Sequence, residues 1–134
     1  MKFMLLQNYG EVESDCLPMN EWTPRDVKAH IEFQQTLNER LTESGELIDA
    51  QGLAGPDVAK FVVSDGVKAP VITDGPYPES KELLAGFRLI DVETLDRALE
   101  IAAEASAAPG PNGVAIQQPI EVRQVMGAPD VDVL

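Results

Sequence analysis

The chain has 134 residues, the length of one domain, and a domain of this size buries roughly two-thirds of the surface its unfolded chain exposes, enough for a core without staples. Twenty-three acidic residues against ten basic ones give a formal charge of −13, and such a surface repels the phosphate backbone on which nucleic-acid affinity rests, so direct nucleic-acid binding is not expected. The one cysteine, Cys16, can close no intramolecular disulfide and has no Cys or His neighbour at metal-ligand spacing, which predicts a reducing, cytoplasmic setting and no metal site.

Lys2 to Gln7 reads as a first strand, with Phe3 and Leu5 on one face and Met4 and Leu6 on the other. The apolar run Phe3 to Leu6 is too short for a signal-peptide core or a membrane span. After a polar loop through Asn20, Thr23 is placed as an N-cap and Pro24 at the first helical position. Asp26 complements the dipole, and Trp22 is set to staple onto Val27. This helix should run to about Ser44, with Gly45 as its left-handed cap. Leu47 to Ala50 predicts a short strand. Lys60 to Ser64 and Val67 to Thr73 predict a hairpin about the turn Asp65-Gly66, Pro70 keeping its second arm at an edge. Leu84 to Val92 is the next strand, and it feeds a helix from about Glu93 to Ser106 whose Leu95, Ala98, Leu99, Ala102 and Ala105 share a face. The Pro- and Gly-rich stretch 107 to 113 stops that helix, and Ile116 to Met126 returns as the last strand. Residues 1–126 thus form one domain, and 127–134 a short flexible tail.

The order β-α-β-(hairpin)-β-α-β makes two βαβ-like halves, the ferredoxin-like α+β pattern of an antiparallel sheet with two helices on one face. Apolar residues on the other face then need a cover, which predicts a homodimer.

Two features carry the functional reading. On the first helix, Val27, Phe33, Leu37 and Leu41 form a stripe, and His30 and Gln34 lie in its middle. His30 is either a core histidine hydrogen-bonded by Gln34, one turn on, or an acid/base group beside a pocket. The other feature is Asp74-Gly75-Pro76-Tyr77-Pro78-Glu79-Ser80-Lys81-Glu82, followed by Gly86-Phe87. Gly75 and Pro76 make a rigid corner in which Asp74 either bonds backbone two residues on or faces a ligand. Glu79, Lys81 and Glu82 read most simply as solvated surface.

This stretch resembles the signature of the DGPF family, a branch of the YCII-related proteins, and the likeness extends to the opening strand, Gly45-Glu46-Leu47 and Ile120-Glu121-Val122-Arg123. The resemblance implies a ferredoxin-like dimeric α+β barrel. It also implies a functional histidine at the position of His30, in Ala29-His30-Ile31, paired with an acid just after the second helix. Here that region reads Ala105-Ser106-Ala107-Ala108-Pro109 and contains no acid, so Asp74 is the substitute carboxylate. A His30–Asp74 pair suits cofactor-independent proton transfer of lyase, isomerase or dehalogenase-like type on a small organic ligand. Tyr77, Arg88 and Arg123, with Gln34, are the candidate substrate contacts, each with a structural alternative such as cross-strand pairing. The family's association with alternative sigma factors implies a second reading, a non-catalytic metabolite-binding or accessory protein. No Walker loop, dinucleotide fingerprint or nucleophile elbow is present, so no cofactor is expected.

Overall fold

The computed structural model describes residues 1–9, 19–75 and 83–130. Its elements in chain order are β1 (Lys2–Tyr9), α1 (Pro24–Glu43), β2 (Leu47–Gly52), β3 (Lys60–Val63), β4 (Val71–Asp74), β5 (Leu83–Asp91), α2 (Leu95–Ser106) and β6 (Ile120–Gln124). Four strands form an antiparallel sheet in the order β2-β5-β1-β6, while among the described residues β3 and β4 pair only with each other. Because β5 lies between β1 and β2, and β1 between β5 and β6, each helix links two strands that run the same way with a third between them. The domain is α+β, with two helices on an antiparallel sheet.

Local chemistry sets the helix ends. The hydroxyl of Thr23 accepts from the Asp26 amide at 3.2 Å, and Gly45, at φ +78°, turns the chain out of α1 where a side chain would be strained. Thr94 caps α2 by accepting from the Arg97 amide at 3.1 Å.

Strand alternation then sorts the sheet into two faces. Phe3, Leu5 and Ile90 meet Leu37 and Leu41 of α1 and Ala98, Ile101, Ala102 and Ala105 of α2 in one core. Alanines on α2 let that helix lie close to the sheet. The opposite face carries Met4 beside Leu89 and Leu6 beside Phe87 on the two central strands, all four half-buried. Arg123 and Glu121 border this patch on β6, and Asp49 and Gln51 border it on β2. Neither helix covers it.

Three expectations are corrected. The hairpin register pairs Val63 with Val71, so Asp65-Gly66 is part of a longer loop. The Asp65 carboxylate accepts from the amides of Val67 and Lys68, both at 2.9 Å, and those bonds hold the chain away from a two-residue turn. On α2 the expected Ala98, Ala102 and Ala105 are buried together with Ile101, whereas Leu95 and Leu99 are 48% and 47% exposed. At about 100° per residue they drift to the flank of the stripe Ala98, Ile101, Ala102 and Ala105. The last strand starts at Ile120 because Gln117 adopts φ +59°, which breaks extended geometry.

Candidate functional site

His30 is 7% exposed, on the face of α1 that meets the sheet. Its Nδ1 lies 3.0 Å from the carbonyl oxygen of Pro109. A carbonyl only accepts, so Nδ1 carries the proton and Nε2 the lone pair. Nε2 lies 3.4 Å from the amide nitrogen of Gln34, one turn on, which therefore donates to it. The amide oxygen of Gln34 accepts in turn from Nη2 of Arg88, and Arg88 Nε donates to Oδ1 of Asn38 at 2.8 Å. Each of these contacts joins a donor to an acceptor, and flipping the Gln34 amide would set donor against donor at Arg88. His30, Gln34 and Asn38 fall on one helical stripe, and β5 supplies Arg88 from the sheet face that also carries its neighbour Leu5. The Trp22 ring meets His30 edge-on, with centroids 5.5 Å apart.

Arg88 is 8% exposed. Burial holds its pKa below the usual guanidinium value, and among the described residues no carboxylate pairs with it. Arg97 is the contrast. Its Nε and Nη2 grip the two carboxylate oxygens of Glu46 at 2.8 and 3.0 Å, and its Nη1 reaches Glu100. The Glu46 hydrogen bonds, then that to Glu100, push its pKa up.

The structure thus brings three of the candidate residues together, His30, Gln34 and Arg88. Asp74 is held elsewhere: it ends β4 and ion-pairs with Lys60 across the hairpin, with a side chain 79% exposed. Both ring nitrogens of His30 are engaged by Pro109 and Gln34, not by Asp74. Arg123 lies on the other side of the sheet, opposite Met4, so it does not stand beside Arg88. Tyr77 lies outside the described residues, as does the rest of the corner from Pro76 to Glu82.

Two members of the row were not among the candidates. Asn38 had a sequence signal, its place four residues after Gln34. Pro109 had none, because it contributes a backbone carbonyl. The region after α2, where the resemblance implied an acid, supplies this neutral acceptor instead.

Trp22 also lines a shallow, open groove of about 650 Å³ between residues 19–22 and α1, together with Met19, Val27 and Ile31. Its indole touches both the groove and His30. Among the described residues no cluster of metal-ligating side chains occurs, and no helix is long and apolar enough to cross a membrane.

An antiparallel α+β sheet with two helices, and a sole histidine on α1 held by the Pro109 carbonyl and linked through Gln34 to a buried arginine, defines the class. The chain belongs to the YCII-related domain family, whose model matches residues 1–122. It is also similar to a protein of Rhizobium meliloti (strain 1021) described as uncharacterized, with 30% identity over 87 residues, 65% of this chain and 69% of the other.

Proposed function

We propose that this YCII-related chain forms a ferredoxin-like dimeric α+β barrel, with one domain over residues 1–126 and a short tail. In this reading it binds a small organic ligand beside His30 and performs cofactor-independent acid/base chemistry of lyase, isomerase or dehalogenase-like type.

The observation that carries the reading is the pair of contacts at the two ring nitrogens of His30, which assigns its tautomer. With the proton tied to Pro109 through Nδ1, the lone pair of Nε2 faces Gln34, and a contact of 3.4 Å is a weak hold. A ligand with an acidic C–H or O–H displaces the Gln34 amide and hands its proton to Nε2, and the Pro109 carbonyl supports the resulting imidazolium. Arg88 stabilises the anion that remains. Asp74 and Tyr77 stay in the reading as contacts from the signature corner. Arg123 belongs to the face that a partner subunit closes.

A second reading, a metabolite-binding or sigma-factor-associated accessory protein, is favoured by the neutral carbonyl behind Nδ1, since a carboxylate would support imidazolium better. Solvent deuterium exchange separates the two. With a panel of 2-oxo acids and phenols in D2O, the catalytic reading expects exchange at least about 100-fold faster with wild type than with His30→Gln. Binding of the same compounds without exchange selects the accessory reading, and neither binding nor exchange overturns both.

The dimer rests on the apolar patch Met4, Leu6, Phe87 and Leu89, which two such sheets bury against each other. Light scattering should give twice the chain mass for wild type and the chain mass for Phe87→Glu. A monomeric wild type across a wide concentration range refutes it.

A further inference from the structure

We propose that Arg88 is an anion receptor whose open donors take the carboxylate of a small monoanionic ligand. The inference deepens the preceding reading by giving the ligand of His30 a chemical class, and rests on it for that link alone.

A guanidinium has five N–H donors. In Arg88 one, on Nε, goes to Asn38, and one, on Nη2, goes to Gln34. Among the described residues the other three have no partner: both on Nη1 and the second on Nη2. The pair that points side by side from Nη1 and Nη2 matches the two oxygens of a carboxylate. Among the described residues no buried side-chain nitrogen or oxygen lacks a partner. Nη1 has no partner there, so it is not fully sealed from solvent.

Charge makes the same point. An arginine this deeply buried ordinarily has an acid beside it, and Arg97, far more exposed, has two. The chain carries 23 acidic residues, yet among the described residues the partners of Arg88 are neutral amide oxygens. Amide oxygens orient the fork without neutralising it, which leaves the positive charge for a counter-ion from outside.

The size of that charge selects the ligand. A single cation in a molecule of net charge −13 neutralises one negative charge. A dianion would keep a second charge unpaired in a field that repels it, so a carboxylate is preferred to a phosphate. Through Gln34, which touches both Arg88 and His30, a carboxylate held here presents the rest of its molecule to the histidine.

Acetate and formate are the probes, against chloride and phosphate at constant ionic strength. The readouts are the guanidinium nitrogen signals of Arg88 by NMR and the thermal midpoint. Acetate and formate should shift the Arg88 signals saturably below about 100 mM and raise the midpoint, whereas dianionic phosphate should bind more weakly. Arg88→Lys keeps the charge without the fork and should weaken acetate binding by about tenfold, and Arg88→Met should abolish it. Should either variant fail to fold, the wild-type signals decide. Unmoved Arg88 signals with acetate and formate, or equal shifts with chloride, overturn the proposal even if deuterium exchange at His30 is found. Acetate binding that survives in His30→Gln supports the receptor and stands even if no exchange is catalysed.

Discussion

Gln34→Glu replaces the neutral amide between His30 and Arg88 by a carboxylate of nearly the same shape. Opposite unit charges about 3 Å apart attract by roughly 5 kcal/mol at an effective dielectric of about 20. Withdrawing a carboxylate from water offsets several kcal/mol in a fully buried site, but position 34 is only half-buried, so roughly half of that applies. Losing the donor to Nε2 of His30 subtracts about 1 kcal/mol more. The net expectation near neutral pH is a stabilisation of about 1–2 kcal/mol, read as a higher urea midpoint at unchanged slope. Its pH dependence has a definite sign. Arg88 holds the introduced carboxyl below its unfolded pKa of about 4.3, so the gain is fully present above that value and is lost as pH falls through the lower folded pKa. A variant less stable than wild type near neutral pH, at equal slope, would refute the view that the Arg88 charge lacks a counter-ion. The same substitution should abolish acetate binding, because the site then carries its own anion.

The Arg97 fork holds the Glu46 carboxyl below its usual range, so the pair stabilises the fold above the ordinary glutamate pKa and ceases to as pH falls through the lowered one. Because Arg97 is partly open to solvent, the effect is at most about 1 kcal/mol. Urea midpoints should fall more steeply on the acid side in wild type than in Arg97→Met, and equal acid slopes contradict the pairing. For Gly86→Ala, the added Cβ would meet the backbone oxygen of Gln51 at 2.8 Å. β2 must shift to accommodate it, at a cost of about 1–3 kcal/mol, and an unchanged urea midpoint would show that this edge strand yields freely.

How far the sequence reached follows from what each element depends on. The start of α1 was legible because Thr23, Pro24 and Asp26 act within one turn. The two sheet faces were legible because Phe3 and Leu5 alternate with Met4 and Leu6 whatever lies beside them. The flank position of Leu95 and Leu99 was not, since several apolar residues round α2 could have faced the sheet and only contact with it chooses among them. The left-handed Gln117 is likewise a residue type that gives no warning of that conformation. At the site, His30 and Gln34 shared a stripe and Arg88 was a candidate, yet their joining required α1 to lie on β5. The acceptor on Nδ1 was the least visible part: Pro109 is distant in the chain and acts through a group every residue possesses. Asp74 shows the converse. Its chemistry suited a partner for His30, but Lys60, opposite it in the hairpin, engages its carboxylate instead.

The order of the strands also decides when this molecule can fold. β1 lies inside the sheet, where Phe3 pairs with Ile90 on one side and Gln124 on the other. At roughly 5–20 residues per second on the ribosome, several seconds pass between the emergence of β1 and that of its first partner. Until then Phe3, Met4, Leu5 and Leu6 have no neighbouring strand, and α1, though able to form early from its own caps, has no sheet on which to dock. Closure waits for distant segments to meet, which makes folding slow and leaves the nascent chain open to association with its own copies. Raising the concentration of refolding chains should therefore divert them to aggregates through β1, and a charge on the face of β1 turned away from the helices, as in Met4→Lys, should reduce that loss.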